Sequence, residues 1–384
     1  MGLREGFKNP GPEYRGAPFW SWNDDLRDEE LCRQVREMKG RGQGGFFMHS
    51  RVGLITPYMS KEWMDRIKAT VREAARLGMC AYLYDEDRWP SGFAGNMVTR
   101  RGPDYWAKYL VCEEVKSAEQ AKALGKKGGL LGVYVEEKRD GQVVGYRQVP
   151  LEEFGGPGVA VAWQYQEKSD WYNGYPYADL LTPKVTEAFL ETTYEPYRQA
   201  VARYFGKTVP GIFTDEPNYI HMPWTIGLEE FFKSRCGYSL VAHLPLLFHN
   251  AGDYRRVRYH YYETITQRFL DAWSKPLYDW CEQAGIALTG HYLMEDTLQS
   301  QCQVAGAAMR HYEYTQYPGV DHLSRNLNDM LTLKQCSSVA HQLGRKRVLS
   351  EMYGCCGWNM SFEDQRWIGD WHYVLGVNLT CQHL

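Results

Sequence analysis

The chain lacks most of the short signatures that assign an enzyme at sight. It has no H-E-x-x-H, no G-x-S-x-G and no EF-hand loop. GRGQGG (40–45) fits G-x-G-x-x-G, yet it ends a predicted helix and enters a predicted strand, the reverse of the order that seats a pyrophosphate on a helix N-terminus. FGKT (205–208) resembles the end of a phosphate loop without the leading glycine. Zincin, serine-hydrolase and nucleotide chemistry therefore fall away. No basic stretch tracks a phosphate backbone and the net charge is −3, which argues against nucleic acid and anionic membrane as partners. The ten cysteines form no C-x-x-C pair, and the adjacent Cys355 and Cys356 are poorly placed to bridge each other. The first residues, MGLREGFKNPGPEYRG, carry no apolar signal region, and no apolar run approaches a membrane span. A reduced, cytoplasmic setting is expected.

Aromatic residues, in contrast, are abundant. They make up 14 % of the chain, with 28 Tyr and 13 Trp, more than a core needs. Such rings suit surfaces where an apolar face meets a wet edge, as in a carbohydrate groove. At 384 residues, 44 % apolar and 24 % charged, the chain is sized for an α/β barrel with insertions.

β-type runs alternate with amphipathic ones. Strands are predicted at APFWSWN (17–23), GGFFMHS (44–50), MCAYLYDE (79–86), VPGIFTDE (209–216), IALTGHY (286–292), MRHYEY (309–314), KRVLSEMYG (346–354) and VNLTCQH (377–383). Helices are expected between them, including one capped by Asp28, one begun by Ser60 and a long helical hairpin over about 224–285. Eight strand–helix units predict a (β/α)8 barrel spanning 1–384, with an open doubly wound sheet as the alternative. The rhythm breaks over 104–181, where two β-like runs flank Asp140-Gly141, a strong hairpin signal. This segment is read as an inserted β-rich subdomain after the third strand, with DWYNGYPYADL suited to a lid. The sequence stops on the eighth strand, and the last helix is expected beyond it.

In such a barrel the C-terminal ends of the strands face one pocket. That rule collects Trp22 and Asn23, His49 and Arg51, the run Asp85 to Trp89, Asp215 and Glu216, His291 and Tyr292, Tyr312 and Tyr314, Glu351 and Tyr353, and Gln382 with His383. Carboxylates, imidazoles and aromatic faces suit a polyhydroxylated ligand, so an oligosaccharide or glycoside is the expected partner. IFTDEPN (212–218) is the sharpest local signal, with acids emerging where Pro217 stops the strand, and Glu351 likewise ends RVLSE. Glycoside hydrolysis needs two such carboxyls, one protonated at the leaving oxygen and one ionised as base or nucleophile. Glu216 and Glu351 are the expected pair. Trp22, Asn23, His49, Arg88, Trp89, Asp215, His291, Tyr312, Tyr353 and His383 are the expected substrate contacts. Glu295 and Asp296 are read as a helix start, and the Tyr259–Tyr262 cluster as packing.

LYDEDRWPSGFAG (83–95) poses a question, because Asp85, Glu86 and Asp87 are consecutive and like charges repel. A turn at a strand end lets the three point different ways: one at the pocket, one at Arg88 and one capping the loop.

The runs PFWSWND, GGFFMHSRVGL, YDEDRWPSGFAG, FTDEP and LSEMYG…DWHYVLGVN, in this order, resemble the catalytic barrel of glycoside hydrolase family 106, the α-L-rhamnosidases, and bacterial relatives. The resemblance covers essentially the whole chain. It implies a (β/α)8 barrel followed by β-sandwich domains, inverting hydrolysis of terminal α-L-rhamnose, and an active-site calcium ion. By position it makes Glu216 the acid and Glu351 the base. Asn96 departs from the pattern, standing where relatives carry a second glycine after FAG. For calcium, Asp85 and Asp87 are the expected ligands, since that ion favours hard oxygen. Two other functions compete: a truncated sugar-binding barrel without turnover, and a metal-dependent lyase. No lysine stands at a predicted strand end, which removes Schiff-base chemistry.

Overall fold

Thirteen strands order the chain in a computed structural model that describes residues 3–383. They are β1 (Phe19–Trp22), β2 (Gly45–Ser50), β3 (Cys80–Tyr84), β4 (Lys108–Val115), β5 (Gly128–Arg139), β6 (Gln142–Val149), β7 (Gly158–Tyr165), β8 (Gly211–Asp215), β9 (Pro223–Trp224), β10 (Ala287–His291), β11 (Tyr317–Asp321), β12 (Leu349–Met352) and β13 (Leu379–Gln382). Eight of them form one parallel sheet in the order β1-β2-β3-β8-β10-β11-β12-β13. Ala17 N donates to Thr380 O at 2.9 Å, bringing the last strand back to the first. The sheet is thus a nearly closed eight-stranded barrel.

Period-two alternation divides each strand between two cores. Phe19, Phe47, Tyr82, Tyr84, Phe213, Leu349 and Leu379 pack together inside the barrel. Trp20, Trp22, Phe46, Leu83, Ile212, Leu288 and Val320 point outward into the helical layer. This phase corrects the expectation for Trp22. It is 1 % exposed and packs edge-on against Trp20 and Trp63, at ring distances of 5.5 and 5.0 Å. It belongs to the strand–helix core, outside the barrel's inner face.

Helices cover the outer face because their apolar residues recur on one side. The helix Lys61–Leu77 turns Trp63, Met64, Ile67, Val71 and Ala74 inward. Ser60 caps it as predicted, accepting from Trp63 N at 3.1 Å, and Gly78 ends it in the left-handed conformation. Asp28 is the first residue of its helix, with Arg27 in the capping position. Ser60→Ala is expected to cost about 1 kcal/mol, read as a lower urea midpoint at an unchanged slope.

Two long helical runs, over 183–201 and 254–284, each contain one π-type turn, Leu190–Tyr194 and Leu270–Ser274. In each, a proline follows within two residues (Pro196 and Pro276). Its missing N–H and its ring disturb the regular ladder, and the helix absorbs one extra residue there. The long hairpin expected over 224–285 is instead three separate helices, Leu228–Cys236, Pro245–Phe248 and the 254–284 run.

The sixth barrel strand is not MRHYEY. Met309 to Tyr312 lie in the helix Ala308–Tyr312, Glu313 and Tyr314 in the turn after it, and the strand is YPGVD, β11. Tyr312 therefore does not end a strand. It is 1 % exposed and donates to Glu295 Oε1 at 2.6 Å, so its expected contact with substrate is also corrected.

The insertion forms an antiparallel sheet in the order β6-β5-β7-β4-β9. The β5–β6 hairpin turns at Asp140 and Gly141, both at positive φ as a tight turn of this kind requires. The fifth strand, β9, comes from beyond 181 and pairs with Lys108 and Tyr109. At the root, Lys108 Nζ meets Asp179 Oδ2 at 3.0 Å, both buried, and Thr225 Oγ1 also donates to Asp179. Among the described residues no helix is long and apolar enough to cross a membrane.

Candidate active site

Strand register brings the acids into one layer at the C-terminal end of the barrel. His291 pairs with Asp215 across β10 and β8, and Asp321 pairs with Glu351 across β11 and β12. Gly290 makes the first pairing possible: a Cβ there would lie 1.8 Å from Thr214 O, and its φ is +132°. His291 Nε2 is 3.0 Å from Asp215 Oδ1 and 3.7 Å from Glu351 Oε2. His383 Nε2 approaches the other oxygen of Glu351 at 3.6 Å. Two groups, Asp215–His291–Glu351 and Glu216–His291–Asp321, each keep their ligand atoms within 4.8 Å of one another.

Glu216 follows β8 with φ +47°, a left-handed backbone that costs a non-glycine residue on the order of 1 kcal/mol or more. Pro217 follows it, and Asn218 Nδ2 donates back to Glu216 O at 2.9 Å, which holds the turn. Burial raises the Glu216 carboxyl to about 8, with Asp215, Asp321 and Glu295 pushing the same way and His291 opposing. Burial also raises Glu351, against the pull of His291. Burial works to raise Asp215 too, but the His291 hydrogen bond and charge, with the Tyr84 hydroxyl, outweigh it and hold that carboxyl low. In return Asp215 holds His291 charged against its own burial. The centre is therefore a charged imidazole among four carboxyls, of which Glu351 has two imidazoles close by.

Beneath this layer lies a supporting shell. The Tyr84 hydroxyl donates to Asp215 Oδ2, and its ring stacks on His49 at 3.8 Å. Burial lowers the His49 imidazole to about 3, so it is neutral. Its Nδ1 donates to Ser50 O, leaving Nε2 to accept from Arg51 Nη1 at 3.4 Å. His49 is 0 % exposed, and the expectation that it contacts substrate is corrected: it sits below Asp215. Glu295, expected in a helix start, is 3 % exposed and belongs to this shell. It accepts from Tyr292 N, Tyr312 Oη and Asp321 N, fixing the end of β11. Burial lifts its carboxyl to about 7.

The acids of LYDEDRWPSGFAG do point three ways. Asp85 continues the outward phase of Leu83, is 0 % exposed, and accepts from Ser91 Oγ and Tyr194 Oη. Burial raises it to about 7. Glu86 turns into its own loop and accepts the backbone N–H groups of Asp87, Gly92, Phe93, Ala94 and Gly95 at 2.7–3.0 Å. Asp87 accepts from Ser50 Oγ at 2.7 Å and from Asn173 Nδ2 at 3.2 Å. The assignment of Asp85 and Asp87 as metal ligands is thus corrected. Their oxygens are committed to protein donors, and neither belongs to a group of converging ligand atoms among the described residues.

Trp89 and Arg88 stand half-buried on the rim. Arg51 lies over the Trp89 ring at 4.5 Å, and Trp171 of the insertion meets Trp89 edge-on and donates to its carbonyl at 2.6 Å. Arg88 bonds Asn173 and lies over Trp171, with Asp87 at 3.8 Å. The 169–175 segment, expected as a lid, is bonded to this rim. Asn23 is exposed at the end of β1. Tyr353 is corrected as a substrate contact, because its ring packs against the outer cluster of Met352, Cys356 and Ile368.

For the implied calcium ion, the oxygens that fit lie in the acid layer. Asp321 Oδ1 is buried with no hydrogen-bond partner, and Asp321, Glu216 and His291 bring ligand atoms within 4.8 Å of one another. A set dominated by carboxylate oxygen suits a hard divalent cation. Asp321 was missed in the sequence. A pocket of about 230 Å³ opens beside it, lined among others by Tyr292, Met294, Glu295, His322 and Leu323. A larger cleft of about 710 Å³, between the insertion and the helices around Leu247 and Tyr262, contains none of the acids.

A family model described as alpha-L-rhamnosidase, glycoside hydrolase family 106, matches residues 173–384. A protein of Formosa agariphila, provisionally named a beta-glucuronidase, is 21 % identical over 99 % of this chain and 38 % of its own length. The solved rhamnosidase of Novosphingobium sp. PP1Y superposes with a TM-score of 0.73 at 14 % identity, covering 100 % of this chain and 56 % of that one. This likeness supports the barrel fold. The chain spans little more than half the length of that structure and well under half of the Formosa protein.

Proposed function

The chain belongs to glycoside hydrolase family 106, and from that membership we propose that it hydrolyses terminal α-L-rhamnosides with inversion, using Glu216 as general acid and Glu351 as general base. One observation carries the assignment of roles. Burial raises both carboxyls, with three acids pushing each one up and His291 pulling each one down, and Glu351 differs in having a second imidazole, His383, at 3.6 Å. That second imidazole can hydrogen-bond to the ionised form of Glu351, which suits the base and leaves Glu216 as the acid. Glu216 gives its proton to the glycosidic oxygen as the C–O bond breaks. Glu351 takes a proton from the water that attacks the opposite face of the sugar, and the anomeric centre inverts. His291, held by Asp215, keeps positive charge beside both acids.

Calcium, when bound, supplies charge that holds sugar hydroxyls, and Asp321, with its unpartnered oxygen, would help hold it. A panel of aryl glycosides with and without chelator tests the function. Release from the α-L-rhamnoside supports it, and activity confined to another glycoside overturns the sugar assignment.

The protonation of Glu216 sets a pH dependence. Its raised carboxyl carries the proton below about 8 and loses it above, so kcat/KM is expected to fall as pH rises through that value. The alkaline limb should be absent in Glu216→Gln, measured on a substrate whose leaving group needs no proton. Its persistence there would assign the limb to another group.

A further inference from the structure

The cleft of about 710 Å³ is lined by no aspartate or glutamate, in a chain with 47 acidic residues and a barrel mouth crowded with them. Its walls come from β4 of the insertion, the loop after β8, the helices around Leu247 and Arg258, and the helix Leu298–Val304. The half-buried rings of Tyr109, Phe248 and Tyr262 line it. The side-chain amides of Gln299 and Gln303 join them, and among the described residues neither bonds to the protein. A concave site of this size, with rings and uncommitted amides, suits a ligand that has both apolar faces and hydroxyls, as a sugar does.

Arg258 supplies the charge. It is half-buried, its Nε donates to Leu246 O at 3.0 Å, and its guanidinium lies over the Tyr254 ring at 4.7 Å. These contacts fix the guanidinium, yet no carboxylate among the described residues pairs with it. Its helix neighbour Arg256, in contrast, meets Asp253 at 3.3 Å. A guanidinium held without a counter-ion in an acid-free cleft matches the flat or forked oxygens of a carboxylate or sulfate.

The loop after β8 ties this cleft to the acid layer. His221 and Met222 line the cleft, and the stretch of chain from Glu216 to His221 spans about 18 Å at most. The loop is clamped from both sides. Leu110 N donates to Met222 O at 2.8 Å, Tyr219 N to Val304 O at 2.8 Å, and Tyr219 Oη to Cys302 O at 2.6 Å. As the acid, Glu216 faces the leaving side of the cleaved bond, and the cleft lies along the loop that carries it. We propose that this cleft is a second sugar site, holding an anionic residue, a uronate or a sulfated sugar, in the part of the glycan beyond the cleaved bond. Arg258 pairs with the anion, and the amides of Gln299 and Gln303 take hydroxyls. The inference rests on the rhamnoside hydrolysis proposed above and adds what is read beyond the terminal sugar.

The test measures kcat/KM on rhamnose-capped tetrasaccharides whose remaining sugars are all glucuronate, all glucose 6-sulfate or all glucose. The wild type should prefer an anionic chain to the neutral one by about tenfold, the scale of one charged hydrogen-bonded pair. Which anionic chain is preferred tells carboxylate from sulfate. The preference should shrink as salt rises, because a half-buried ion pair is partly screened, whereas repulsion by the acid layer would give the opposite sign. Arg258→Gln should abolish the preference and Arg258→Lys should keep about half of it, with urea midpoints showing that both variants fold. An active wild type without the preference, or with one that grows with salt, overturns the site with no variant needed. A preference unchanged in folded Arg258→Gln overturns it as well, and in each case the hydrolysis stands. A wild type inactive on every rhamnoside overturns the hydrolysis, and this inference with it.

Discussion

Replacing Glu216 by Gln is expected to lower kcat by about 10²–10⁴-fold on an alkyl α-L-rhamnoside, the range that general acid catalysis supplies, and far less on the 4-nitrophenyl glycoside. The asymmetry follows from the leaving group. An alkoxide is too basic to depart without a proton, whereas 4-nitrophenolate departs unaided. Glu351→Gln is expected to lose a similar factor on both substrates, because water must be activated whichever group leaves. Azide attacks without needing a base and should restore part of the Glu351→Gln activity. Equal losses on both leaving groups in Glu216→Gln, with azide rescue of that variant, would exchange the two roles.

The second large effect is structural. Glu86→Gln replaces one oxygen by an amide nitrogen of nearly the same shape, yet it is expected to destabilise the fold by roughly 3–5 kcal/mol, in line with the loss of a buried charged partner. Oε1 faces the N–H groups of Asp87 and Gly95, and Oε2 faces those of Gly92, Phe93 and Ala94. Either orientation of the Gln amide points two of its hydrogens at backbone donors. The same geometry argues for the ionised side chain against the upward push of its burial, since a carboxylic acid would aim its own hydrogen at a donor. The loop so held carries Trp89 and Ser91, and Ser91 Oγ in turn accepts from Asp215 N. Loss of Glu86 should therefore reach the acid layer. Urea unfolding measures the effect, and a Glu86→Gln midpoint equal to the wild type would contradict it.

Much of this was legible in the sequence. FTDEP and RVLSE each carry acids at the end of an apolar run, and the barrel rule alone places Glu216, Glu351 and His383 at one rim. Assigning each side chain to the inner or outer face was harder. Along β1 the inward residues are Phe19 and Ser21, so Trp22 faces the helices; along β3 they are Tyr82 and Tyr84, so Asp85 does as well. Counting in twos from the strand core gives this phase. The position after a strand end depends on the turn, however, and Glu216 and Tyr353 both enter left-handed backbone there. YPGVD hid the sixth strand because Pro318 and Gly319 are poor strand residues, while MRHYEY alternates and is a helix. Asp321 and His322 were lost with it. Glu295 and Tyr194 escaped for another reason: their work depends on partners 17 and 109 residues away, which no local pattern announces.

Glu216 and Glu351 are proposed to cleave a terminal α-L-rhamnoside with inversion. Proton NMR of the anomeric signal during hydrolysis of 4-nitrophenyl α-L-rhamnoside tests it most directly. β-L-Rhamnose should form first and only later equilibrate with the α anomer, and Glu351→Gln should release none on the same timescale. Initial appearance of the α anomer, or wild-type release by Glu351→Gln, would contradict it.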